Sequence, residues 1–451
     1  MEIVMSNEKQ SNVLGYFLNR ETPHIVNANG VYLYDDQGNR ILDASGGAIV
    51  CSIGHGVEEI VEAAADQMKK AAFVFRRAFR TPELEMAATK VCETTNWDME
   101  RIFFVSGGSE ATETAVKLAR KYHIENGNPS KFRVISRWQS YHGSTFGALS
   151  WTGFTSRRAD FTPYLKDFVH LPPTYCYRCW WGQTPESCSQ ECAQALENEI
   201  LCLGPETVAA YIAEPVSGHA LAAACPPDEH FKRIREICDR YDVVMILDEV
   251  MCGVGRTGKW YAYQHHDSAP DIIALAKGLS GGYYPVGAAA VRAKIFDTIS
   301  KGSGIFGSGH TYAGGPVAAA VTCRVIDYLK ENRLVERCAQ MGRYLAEKLE
   351  TLRSHPTVGD IRGKGLQRGI EFVKDKQTRE PLNPELHFSQ QIQDEALCRG
   401  VHIESSFGCD RGQAGDLILF GPPYIITRTQ IDEMIDIIDE TLSVVEQRAG
   451  Y

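Results

Sequence analysis

The 451-residue sequence predicts an α/β fold, a mostly parallel sheet with crossover helices joined to a smaller α+β unit. Three observations carry that expectation. Short apolar runs, TVAAYIAEP, DVVMILDEV, DIIALAKG and VGAAAV, recur through the middle of the chain with helical segments between several of them. Runs of this length and composition fit strands buried on both faces. Upstream, the same alternation is already under way: ELEMAATKVCETT reads as a helix, RIFFVSGG as a strand and turn, SEATETAVKLARKYH as a helix and FRVISRW as a strand. The two ends of the chain follow another rhythm. GVYLYDDQGNRILDA alternates apolar and polar residues around turn residues, as a hairpin or meander does. Beyond Val317 come a long helical stretch to Leu352, a strand pair in IRGKGLQRGIEFV, a helix in QQIQDEALCRG, a strand in LILFGPP and a final helix from Thr429.

Composition bounds the function. The chain is long enough for two or three domains, and its 44% hydrophobic content fills substantial cores. No repeat, low-complexity tract or long linker divides it, so its domains must be intimate. The net charge of -10, from 57 acidic and 47 basic residues, is spread along the chain, and no basic stripe suggests nucleic acid or an anionic membrane. Apolar stretches such as Val243 to Leu247 fall far short of the roughly 18 to 20 residues of a membrane span, and the N-terminal MEIVMSNEKQSN lacks a signal-peptide apolar core. A soluble cytoplasmic protein is expected. Of 14 cysteines, ten stand singly and read as small core hydrophobes.

The chemistry concentrates at strand ends. RYDVVMILDEVMCGVGRTG places Asp248 and Glu249 where a buried strand stops, and open α/β sheets keep their ligand crevices at that edge. A second strand, DIIALA, delivers Lys277 at its end, followed by the glycines of KGLSGGYYPVG. A lysine there is costly to bury without a partner. Burial also lowers its pKa, which makes the amine a nucleophile able to form an imine with an aldehyde cofactor. A carboxylate and an activated amine at neighbouring strand ends are what pyridoxal phosphate requires, the carboxylate keeping the pyridine nitrogen protonated. In FFVSGGSEATETAVKLAR a strand runs through Gly107, Gly108 and Ser109 straight into a helix, an arrangement whose bare amides and hydroxyl suit a phosphate. Tyr141 and His142 follow the strand FRVISRW, where an aromatic ring could stack on a planar cofactor. Each feature has a plainer alternative: Asp248 a structural cap, the glycine turn a simple N-cap, Tyr141 a core tyrosine. Their weight lies in occurring together.

These residues identify a resemblance. From DDQGNRILDASGGAIVCSIGHG to LILFGPPYIITRTQID the sequence resembles the class III, or ω-amino-acid, aminotransferases among the fold-type I pyridoxal-phosphate enzymes, with LDEVMCGVGRTG to ALAKGLSGGYYPVGA the most specific stretch. The resemblance implies a large cofactor domain with a mainly parallel seven-stranded sheet over about 76–329, and a small domain built from 1–75 and 330–451. It implies that Lys277 is the internal aldimine lysine and the proton shuttle, with Asp248 the pyridinium partner. Val250 would press one ring face opposite Tyr141, with His142 beside it. Gly108 and Ser109 would hold the phosphate, and Thr311 would hold it from a neighbouring subunit, making a homodimer with shared sites, or a tetramer. Glu214 would engage the cofactor's surroundings or pair with a mobile arginine.

Two stretches depart from the family pattern. After the glutamate-proline pair the run is EPVSGHALAAACPP, so His219, Ala220 and Leu221 reshape the substrate pocket. In ESSFGCDRGQAGDLILFG, Arg411 is the candidate for an arginine that binds a substrate carboxylate, with a surface-loop role as the alternative. Within an insertion at about 174–193, Cys176, Cys179, Cys188 and Cys192 are spaced as in a zinc knuckle. A structural zinc stands there against four reduced thiols or a redox-dependent disulfide pair. The expected reaction moves an amino group from an ω-amino acid or primary amine (β-alanine, 4-aminobutyrate, taurine or diamine type) to pyruvate or 2-oxoglutarate with ping-pong kinetics. The alternatives are an aminomutase or racemase of the same family and a catalytically silent scaffold.

Overall fold

The computed structural model describes residues 12–18, 20–266 and 268–451; the remainder, including most of the segment read for a signal peptide, lies outside the described residues. Its centre is a seven-stranded sheet. In spatial order the strands are Arg101–Val105, Gly287–Val291, Ile272–Leu275, Val244–Asp248, Val208–Ala213, Arg133–Arg137 and Val169–Leu171. Gly287–Val291 runs antiparallel to both neighbours, and the other strands share one direction. The fold is the α/β arrangement expected, and the sequence reason is visible in burial. Every residue of Val208–Ala213, Val244–Asp248, Ile272–Leu275 and Gly287–Val291 is buried, so these strands carry no polar face. The helix Gly108–Glu125 lies across the sheet and seals one face with Ala111, Ala115, Leu118 and Ala119.

Two smaller sheets flank this centre. Ile25–Asn29, Tyr32–Asp35 and Arg40–Asp43 form an antiparallel meander, which Val401–His402 completes as a parallel fourth strand. Val358–Lys364, Gln367–Phe372, Ala414–Phe420 and Glu404–Asp410 form an antiparallel sheet. The helical stretch after Val317 is broken: Pro316–Glu331 and Leu334–Glu350 are separate helices, because Asn332 ends the first and Arg333 takes a left-handed backbone (φ 50°). Leu329 and Leu334 are both buried, so the break redirects an apolar face that the sequence pattern runs straight through. The last helix starts one residue before the expected Thr429, at Arg428, because the side chains of Thr427 and Gln430 form a capping box around its first turn. Of the ten single cysteines, Cys202 and Cys398 are exposed and are not core filler, while Cys225 is half-buried and packs against a core cluster. Among the described residues, no helix is long and apolar enough to cross a membrane.

One buried acid fixes the two strands that matter most. Asp271, just ahead of Ile272–Leu275, accepts from the Met245 amide at 2.8 Å and from Arg235 at 2.9 Å, with Lys294 Nζ 2.7 Å away. Burial alone would raise this carboxyl, but Arg235 and Lys294 outweigh it and hold the group below the usual carboxylate range. The bond to Met245 stitches the start of Ile272–Leu275 to Val244–Asp248 and so sets how far each strand reaches at its other end. Asp271→Asn should destabilise the fold by about 2–4 kcal/mol, since two cations lose their counter-charge, read as a lower midpoint in denaturant unfolding. An unchanged midpoint would remove this stitch from the account.

Candidate active site

Parallel strands share an edge at which all of their carboxyl ends emerge, and here five of them open on a cavity of about 200 Å³. Val244–Asp248 ends in Asp248 itself, and Ile272–Leu275 is followed by Ala276 and Lys277. Val208–Ala213 is followed by Glu214, Arg133–Arg137 leads to Tyr141 and His142, and Arg101–Val105 leads to Gly108 and Ser109. All of these residues line the cavity, together with Val250 and His219. A larger cavity of about 480 Å³ lies beside Cys188, Gln194, Glu229 and Arg233, but it contains neither a strand-end acid nor a buried amine, so size does not locate the chemistry.

Asp248 is held on both oxygens. His142 Nδ1 donates to Oδ2 at 2.7 Å and the Val250 amide donates to Oδ1 at 3.0 Å, with only 4% of the side chain exposed. His142 is itself fixed: its amide donates to Thr152 Oγ1 at 2.9 Å and its carbonyl accepts from Thr112 Oγ1 at 2.8 Å. Its other ring nitrogen, Nε2, is buried without a hydrogen-bond partner among the described residues. A carboxylate oxygen carries two lone pairs, so Asp248 keeps acceptor capacity towards the cavity.

Lys277 has a left-handed backbone (φ 44°), a conformation a non-glycine residue adopts only when its surroundings impose it. Burial pushes its amine down to about 8, against the pull of Asp248, Glu214 and Glu404. Glu214 moves the other way. Burial raises its carboxyl to about 7, although it accepts from the Gly218 amide at 2.7 Å and the Tyr141 amide at 3.2 Å. The cavity thus holds an acid and an amine that both titrate near neutrality.

The opposite end is a crowded backbone turn. Helix Gly108–Glu125 follows an extended Gly107, and its first-turn amides have no partners within the helix. A Cβ on Gly108 would lie 3.0 Å from the Val250 side chain, and one on Gly143 would lie 2.5 Å from Ser109 Oγ. A Cβ on Gly287 would lie 2.5 Å from the Gly107 carbonyl oxygen. These glycines let bare backbone line the turn. Ser109 Oγ accepts from the Ser144 amide at 3.1 Å.

Other sequence candidates lie elsewhere. Thr311 is exposed on a turn and does not line this cavity. Arg411 sits exposed at the tip of the hairpin between Glu404–Asp410 and Ala414–Phe420, outside the lining, with its guanidinium 5.4 Å from the centre of the Trp180 ring. The zinc knuckle is not supported. Among the described residues, no three His, Cys, Asp or Glu side chains are grouped to hold a metal ion, and all four cysteines are free. Cys192 Sγ lies 3.5 Å from His230 Nδ1, in a contact that the spacing of the four cysteines does not reveal. The sequence also gave no sign of Glu404. It opens a strand 127 positions after Lys277, yet its carboxylate lies 3.2 Å from His219 Nε2 and its charge reaches Lys277.

Comparison with known proteins gives the family. A putrescine–pyruvate aminotransferase of Pseudomonas aeruginosa is 38% identical over 435 residues, covering 93% of this chain and 91% of its own. Gamma aminobutyrate transaminase 2 of Solanum lycopersicum is 36% identical over 438 residues, covering 94% and 92%. Among solved structures, an amine transaminase from an uncultivated Pseudomonas species, in its PLP-bound form, superposes with a TM-score of 0.90 at 32% identity, covering 97% of this chain and 100% of its own. The class-III aminotransferase family pattern matches residues 17–442, and the chain is a class III aminotransferase.

Proposed function

We propose that this chain binds pyridoxal phosphate in the strand-edge cavity and transfers an amino group from a primary amine or ω-amino acid to an oxo acid such as pyruvate or 2-oxoglutarate. The observation that carries the reading is one cavity holding a lowered amine, a fixed carboxylate and a glycine-lined helix start. That donor set fits the cofactor. When bound, pyridoxal phosphate supplies an aldehyde carbon and a protonated ring that accepts electrons from the donor carbon.

The residues divide the work by chemistry. The first-turn amides of Gly108 and Ser109, with the Ser109 hydroxyl, would hold the phosphate, where the helix dipole also favours a dianion. Asp248 would accept from the ring nitrogen and keep its proton in place, and His142 and the Val250 amide stop the carboxylate from turning away. Tyr141 and Val250 would flank the ring. Lys277 would hold the cofactor through its amine. Once free, its Nζ would take the proton from the donor's amine-bearing carbon. Glu214 anchors the Tyr141 amide beside this exchange.

The reading extends to a second copy. Thr311 is exposed beside Tyr312, whose ring contacts Phe73 with centroids 5.9 Å apart, and Phe75, Phe79 and Ile305 are also exposed. Apolar exposure of this kind supports a homodimer in which Thr311 reaches the neighbour's phosphate.

Two measurements test the site. Lys277→Ala should lose the visible absorption of the purified holoenzyme and at least about 10³-fold of its activity; a variant with the wild-type spectrum and rate would overturn the assignment. Capture of pyridoxal phosphate by the cofactor-free protein should quicken as pH rises, with a midpoint near 8, because the amine is protonated and unreactive below that value. A midpoint at the ordinary lysine value would show that burial does not tune the amine.

A further inference from the structure

We propose that Glu404, positioned by His219, is a cation-recognition subsite that takes the distal ammonium of a diamine donor while the other amino group reacts at Lys277. The inference rests on the aminotransferase reading and narrows its donor class.

His219 lines the cavity with Lys277 and Glu214, and its Nε2 lies 3.2 Å from Glu404 Oε2. Among the described residues His219 is the one side chain paired with the Glu404 carboxylate, and 24% of the Glu404 side chain is exposed. A carboxylate takes up to about four hydrogen bonds, so one from His219 leaves most of its capacity free. Its backbone is set by pairing with Leu419, which fixes where the carboxylate hangs. Burial on its own would raise Glu404, but His219, His402 and Lys277 keep it below the usual carboxylate range, and it is an anion at neutral pH. His402 is itself engaged by Asp43 at 3.0 Å.

The charge balance decides the class of donor. The cavity is lined by Glu214 and Asp248 and flanked by Glu404, while no arginine is part of its lining. Arg157, beyond Phe154, donates to the Tyr16 hydroxyl. A donor ending in a carboxylate would set its charge against Glu404, whereas an ammonium meets a partly desolvated acceptor. Phe154, buried with its ring centre 5.8 Å from that of His219, packs against the imidazole and helps hold it beside Glu404.

The test compares kcat/KM of the holoenzyme for 1,4-diaminobutane, 1-aminobutane and 4-aminobutyrate, with pyruvate as acceptor, in wild type, Glu404→Gln and Glu404→Asp. The wild type should favour the diamine over the monoamine at least tenfold, roughly 1.4 kcal/mol. Glu404→Gln should bring that ratio to about one through a higher diamine KM, and Glu404→Asp should restore part of it. The subsite is overturned if the wild type favours 4-aminobutyrate, or if the ratio survives in Glu404→Gln, as it would were the residue merely structural. A wild type that turns over none of the three donors, yet transfers the amino group of another amine, overturns the subsite and leaves the aminotransferase reading standing.

Discussion

A buried carboxylate and a buried amine attract each other strongly, and a protein that needs both must stop them from simply collapsing into an ion pair. Here the sheet does this. Asp248 and Lys277 end neighbouring parallel strands whose backbones are paired from Ile246 with Ile272 to Asp248 with Ala274, so neither residue can approach at will. The acid is further claimed by His142 and the Val250 amide, and the lysine is held in a left-handed backbone. Most other features of the cavity follow from that separation. The amine is lowered because burial outweighs a carboxylate that is close enough to be felt but is already committed elsewhere.

The same logic organises the remaining charges. Glu214 and Lys277 share a cavity, with burial raising one and lowering the other towards the same range, so protons move between such groups at little free-energy cost. Asp271, at the far end of the strand leading to Lys277, is by contrast surrounded by cations and stays charged. One strand thus runs from a fully compensated charge to an undercompensated one. The first gives rigidity and the second gives reactivity.

Much of this was legible in the sequence, for a physical reason. Asp248, Lys277, Gly108 and Ser109 each sit beside the apolar run or helix start that positions them, so local pattern and function lie in the same short stretch of chain. Glu404 was not legible, since its approach to His219 depends on how two distant units pack, and neither ESSFG nor VSGHA announces a partner. Gly287 lies within the family stretch ending in PVGA, but only the closeness of the Gly107 carbonyl shows why a side chain is excluded there. The four-cysteine segment shows the opposite limit. Its spacing suits a metal, but spacing along the chain does not group side chains in space, and among the described residues no three His, Cys, Asp or Glu side chains are grouped to hold one. The break at Arg333 escaped for a similar reason, because a single left-handed residue interrupts a helix without disturbing its apolar period.

The meander near the N-terminus is closed by Val401–His402, which pairs with Leu42 and Asp43. During synthesis, the first three strands therefore leave the ribosome long before their fourth is made. At a translation rate of roughly 5–20 residues per second, the gap lasts about 20 to 70 seconds, during which the outer edge of Arg40–Asp43 stands open. An unpaired edge is a template for another chain. The nascent protein consequently passes through a window in which this edge can pair with a neighbouring chain, and the last part of the chain to be made is what closes it.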